Sequence, residues 1–103
     1  MLVRVCEPGK PAFQLRSGEL GISVFDLTAV EPPLTEQEIL AHFRPNSRAI
    51  QRSPGDVAVA GLQIVPILGG ESLPDRLRMA HAEVRPRSGM TPTQFKQALK
   101  GLE

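Results

Sequence analysis

Tryptophan and tyrosine are absent from this 103-residue chain, and phenylalanine occurs only four times. The core must therefore be built from Leu, Ile, Val and Ala. The aromatic platforms on which nucleic-acid bases stack are missing. A single cysteine, Cys6, allows no internal disulfide and points to a reducing compartment. With only two histidines beside it, a structural zinc site lacks ligands, so no metal is expected. Neither sign of charge is in excess: 12 Lys and Arg stand against 11 Asp and Glu, a formal net charge of +1. Nothing draws the whole molecule to nucleic acid or to an anionic membrane. No apolar run approaches the roughly 20 residues of a membrane span, and the N-terminus lacks a secretory-signal pattern. These absences predict a cytoplasmic protein with neither nucleic acid nor membrane as partner. No phosphate loop, nucleophile elbow, fixed-period repeat or low-complexity tract is present.

What is plentiful is punctuation. Ten prolines and nine glycines cut the chain into short elements and exclude long helices almost everywhere. The length predicts one domain, 1–103, burying roughly two-thirds of its extended surface. Leu2 to Cys6 reads as a β-branched strand and Glu7 to Pro11 as a turn. Ala12 to Arg16 alternates like a half-buried strand, and Ser17 to Gly21 turns the chain again. Ile22 to Asp26 follows as a strand, with Ile22 and Val24 on one face and Ser23 and Phe25 on the other.

Two helices announce themselves by their caps. Thr35-Glu-Gln-Glu38 has the form of a capping box, with Leu34 and Ile39 at the staple positions, and predicts a helix from Glu36 to Phe43 that Pro45 ends. Thr91-Pro-Thr-Gln94 repeats the pattern with a Met90–Phe95 staple and a stripe of Phe95, Leu99 and Leu102. Between them, residues 46–56 are polar and basic, a short helical turn or a loop. Val57 to Leu68 is the most apolar stretch and reads as a strand pair, or one strand bulged at Gly61, rather than a helix. Leu73 to Met79 is a loop or one helical turn starting at Pro74. Ala80 to Pro86 alternates, with His81, Glu83 and Arg85 opposite Ala80, Ala82 and Val84. The fold class expected is α+β: a small mixed or antiparallel sheet of four to six short strands with two capped helices.

Two constellations could carry chemistry. His81 and Glu83 share one strand face, where a carboxylate can orient or charge an imidazole. An ordinary solvated face, with Glu83 ion-paired between His81 and Arg85, accounts for the same pattern. Arg16 and Ser23 flank a turn containing Gly18 and Gly21, a geometry that suits a phosphate held by guanidinium and hydroxyl. A plain hairpin with an exposed arginine is the alternative. The scattered arginines 44, 48, 52, 76, 78, 85 and 87 form either a basic surface or a solvated one offset by carboxylates.

Gly21-Ile-Ser-Val-Phe-Asp26, and Ala80-His-Ala-Glu-Val-Arg-Pro86 followed by Gly89-Met90 and the C-terminal helix, resemble the small bacterial ADP-ribosyltransferase-like toxins of the type VI secretion effector kind. These pieces cover about a third of the chain. The resemblance implies a split sheet that clasps NAD in a cleft. It implies Arg16 (or Arg4), Ser23 and Phe25 as cofactor-binding residues, and Ser23, His81 and Glu83 as catalytic ones. It also implies a protein partner such as an immunity or antitoxin protein. A non-catalytic interaction module of the same fold is the alternative.

Overall fold

The computed structural model describes residues 1–103. Its centre is a five-stranded antiparallel sheet: β1 (Leu2–Cys6), β2 (Ile22–Asp26), β3 (Arg48–Arg52), β4 (Leu62–Pro66) and β5 (His81–Pro86), in the order β3-β1-β2-β5-β4. Four helices cover it: α1 (Glu36–Leu40), α2 (Pro54–Val59), α3 (Asp75–Ala80) and α4 (Pro92–Lys100). The α+β class expected from the chain is what is found. No helix is long and apolar enough to cross a membrane.

Because alternate side chains of a strand point to opposite faces, the sheet builds two cores. Leu2, Cys6, Ile22, Val24, Leu62, Ala82 and Val84 pack on one face under Val57 of α2 and Phe95 and Leu99 of α4. Val3 and Phe25 pack on the other under Ile39 of α1 and Leu77 of α3. No polar or charged residue is fully buried. Helix α4 stands on the reciprocal Thr91–Gln94 capping box with Pro92 in its first turn. Helix α1 is capped by Thr35, whose hydroxyl accepts the Glu38 N–H at 3.1 Å, but it ends at Leu40, and Ala41 to Phe43 form a turn. Glu38 does not close the box. Its carboxylate is taken by Arg76 of α3, with Nε at 2.7 Å from Oε2, and the same guanidinium reaches Pro32 O at 2.7 Å.

Three segments differ from the sequence reading. Ala12 to Arg16 is not a strand. Its Ala12 and Phe13 N–H groups donate to the Glu103 carboxylate at 2.8 and 2.6 Å, and its Ala12 carbonyl accepts from Arg4 Nε at 2.8 Å. Side chains satisfy this backbone, so no neighbouring strand is needed. Residues 48–52, read as a turn or loop, pair with β1 along its whole length as an edge strand. The apolar stretch from Val57 to Leu68 divides into the end of α2, a turn at Gly61 with φ +80°, and β4. A complete capping box, Ser53 with Asp56, starts that helix with Pro54 at its first position.

Two outcomes follow from these caps and ties. Ser53→Ala removes the acceptor for the Asp56 N–H and lowers stability by about 1 kcal/mol in denaturant unfolding. The Arg76 hydrogen bond holds the Glu38 carboxyl below its usual range, and Lys10 does the same for Glu7. A depressed folded-state pKa contributes stability above the unfolded pKa and loses it as pH falls through the folded one. Stability therefore declines on the acid side of the ordinary carboxylate range, and Glu38→Gln shallows that decline relative to wild type in a pH series of unfolding curves.

Candidate functional site

Strands β2 and β5 pair with Ser23 opposite Glu83 and Phe25 opposite His81. Directly opposed residues share a face, so the register brings these four side chains together on the α1/α3 side of the sheet. The helices cover only part of that side. Phe25 lies buried beneath them, whereas Ser23 is exposed.

A cleft of about 280 Å³ opens there, lined by Arg4, Ser23, Phe25, Phe43, Ser72 and His81 among others. Its apolar wall is a run of edge-to-face rings: Phe43 on Phe25 at 6.0 Å and Phe25 on His81 at 5.7 Å between centroids. Phe43 was expected to end a helix. Standing in the turn beyond α1 instead, it forms this wall.

His81 occupies the junction of α3 and β5. Its backbone N–H is spent on Arg78 O, closing the helix, so it cannot donate across the sheet. The side chain substitutes: Nδ1 lies 2.8 Å from Ile67 O, while the Ile67 N–H donates to His81 O at 3.2 Å. A carbonyl oxygen only accepts, so Nδ1 carries the proton and the neutral ring has its lone pair on Nε2, which no protein group engages.

Glu83 stands beside Ser23 but turns to Arg85, whose Nε and Nη2 both lie 2.8 Å from Oε1. It does not line the cleft. Gly21 crosses this pair closely: a Cβ there would sit 2.9 Å from Arg85 Cγ and from Val84 O, and 3.1 Å from Glu83 Oε1. The glycine is required by that approach, not by a positive φ.

Arg16 is not brought to Ser23. It lines an adjoining, larger cleft of about 830 Å³ together with Arg4, Glu7, Lys10, Ser17, Phe43, Arg44 and Ser47. Its guanidinium is largely exposed, 3.9 Å from Glu7, and its backbone N–H donates to Glu19 Oε1 at 2.7 Å.

Arg4, Val5 and Phe43 line both clefts, and Arg4 is the charged one among them. Strands β1 and β2 pair only at Leu2–Asp26 and Val3–Phe25, then part. The half-buried Arg4 guanidinium bridges the gap, donating from Nη1 to Ser23 O at 3.0 Å and from Nε to Ala12 O. It makes no salt bridge, and burial lowers its pKa from the usual arginine value. A partly buried cation facing two clefts without a carboxylate partner is suited to meeting an anion there. Its signal in the chain was an arginine in the middle of an otherwise apolar strand, Leu2-Val-Arg-Val-Cys6.

No protein-family description, curated protein or solved structure matches the chain.

The geometry at His81 has a direct spectroscopic consequence. Long-range ¹H–¹⁵N correlation spectra near neutral pH will display the Nδ1–H tautomer for the neutral His81 ring. A Nε2–H pattern would contradict the bond to Ile67.

Proposed function

We propose that this chain is an ADP-ribosyltransferase-like protein that takes NAD across the two adjoining clefts. The observation that carries this reading is the register of β2 on β5. It sets a hydroxyl (Ser23), an imidazole (His81), a ring (Phe25) and a carboxylate (Glu83) side by side, next to a cleft rich in cations.

In this reading Arg4 and Arg16 hold the pyrophosphate, since guanidinium groups match phosphate oxygens bidentately. Ser23 and the free His81 Nε2 hydrogen-bond the ribose next to the nicotinamide, and Phe25 and Phe43 offer the ring an apolar wall. NAD, when bound, supplies the group to be transferred, and positive charge develops on its ribose as nicotinamide leaves. A carboxylate beside Ser23 favours that charge, so Glu83 must exchange Arg85 for the ligand to act. The donor set fits the molecule: cations line the larger cleft, rings and the Ser23 hydroxyl the smaller, and the larger cleft, about 830 Å³, lies within the roughly 300–1,000 Å³ of small-molecule sites.

A second reading, a non-catalytic interaction module, is favoured by one observation: Glu83 is already satisfied by Arg85.

Thermal unfolding with NAD separates binding from its absence. At about a hundred times Kd, NAD adds roughly 2.7 kcal/mol of stability, which raises Tm by about 10 °C in a chain of this size. Ser23→Ala and His81→Ala each weaken binding by roughly tenfold, while backbone resonances of α4, on the opposite face of the sheet, keep their positions in the NAD-free variants. An unchanged Tm at millimolar NAD rules out the cofactor assignment.

A further inference from the structure

We infer that a third cleft, between α4 and the irregular segment after Pro11, binds a small apolar carboxylate: a free monocarboxylic acid with one anionic head on a hydrocarbon body. Its volume is about 360 Å³, within the roughly 300–1,000 Å³ of small-molecule sites. Pro11, Gln14 and Leu15 line both this cleft and the larger one, but its α4 wall belongs to neither cleft described above. The site is therefore independent of the dinucleotide reading.

The cleft exists because residues 12–15 form no strand. Glu103 fastens only the start of this segment, accepting the Ala12 and Phe13 N–H groups at 2.8 and 2.6 Å. The N–H groups of Gln14 and Leu15 meet no acceptor in the protein, so the wall holds backbone donors the fold does not use. Phe13 and Leu99 are buried at its floor, Leu15 packs half-buried against the same core, and carbon predominates in the lining.

The charged groups stand on one stripe of the opposite wall. Lys96 and Lys100 are one helical turn apart, and Glu103 follows three residues on. Glu103 does not neutralise them. No carboxylate lies within ion-pair distance of either ammonium, and both Glu103 oxygens are taken by backbone N–H groups. A lysine pair on a helix is ordinarily a solvated surface. This pair differs because it borders an apolar cleft whose far wall carries idle donors. Lysine stems can lie along hydrocarbon while their ammonium groups meet a carboxylate. Two ammonium groups against one carboxylate leave a single positive charge, which one carboxylate head matches.

The test is a ¹H–¹⁵N correlation titration of the full chain at neutral pH with octanoate, 1-octanol and acetate. Octanoate supplies head and body, octanol the body alone, acetate the head alone. Octanoate is expected to shift the Gln14, Leu15, Lys96 and Lys100 amides and to bind about tenfold more tightly than either of the others. The double variant Lys96→Gln/Lys100→Gln changes two exposed positions and keeps helix propensity, so its spectrum away from α4 should match wild type. It should bring octanoate to within about twofold of octanol, and each single variant should lose about threefold. Equal binding of octanoate and octanol by wild type overturns the inference, as does undiminished octanoate binding by the variants. Acetate binding as tightly as octanoate overturns it from the other side, by removing the apolar body. Shifts confined to other surfaces, or no shifts, abolish the site and leave the dinucleotide reading where NAD titration puts it.

Discussion

The Arg4 guanidinium holds open the place where the sheet divides. β1 and β2 are hydrogen-bonded at one end only, and beyond Val3 the strands need something other than each other. Arg4 supplies it, donating to Ser23 O on one side and Ala12 O on the other. The same Ala12 is gripped through its N–H by Glu103, so one residue of an irregular segment is fastened from two distant points of the chain. A charged side chain in this position costs desolvation and gains two charge-assisted hydrogen bonds. It also leaves a cation at the meeting point of two clefts. An apolar residue would zip the strands or leave the carbonyls of Ser23 and Ala12 without donors.

The sheet's two faces are used differently. On one, α2 and α4 cover Ile22, Val24, Ala82 and Val84 completely, and that face is structural. On the other, the short helices α1 and α3 reach Val3 and Phe25 but stop before Ser23 and Glu83. The Glu38–Arg76 contact ties these two helices together. Their shortness, with α1 giving way to a turn at Ala41 and α3 running into β5 at His81, is what leaves the candidate site open to solvent. His81 shows the consequence in one residue: ending a helix and starting a strand consumes its N–H, and the ring takes over the bond to Ile67.

The parts of this fold legible in the chain were those whose signals are local. The caps at Thr35 and Thr91, the staples at Leu34–Ile39 and Met90–Phe95, and the alternation of Ile22–Asp26 and His81–Pro86 each depend on neighbours within a few residues. The Ser53–Asp56 box was equally local and equally visible. It was obscured because α2 and β4 share one continuous apolar stretch in which periodicity alone does not separate helix from strand. The alternation at Ala12–Leu15 misled for the opposite reason. Phe13 is buried under α4 and its backbone bonds to Glu103, so the pattern records burial without a strand partner.

By itself, then, the sequence determined an aliphatic core, short proline-bounded elements, capped helices and a set of polar residues on the exposed faces of two strands. Which strands lie side by side was decided only by tertiary structure. Residues 23 and 83 are neighbours because β2 pairs with β5, and nothing near either residue encodes that pairing. The same holds for the arginine at the site. Spacing along the chain pointed to Arg16, seven residues from Ser23. The folded sheet instead brings Arg4 to Ser23, because the gap between β1 and β2 has to be bridged by a donor long enough to reach across it.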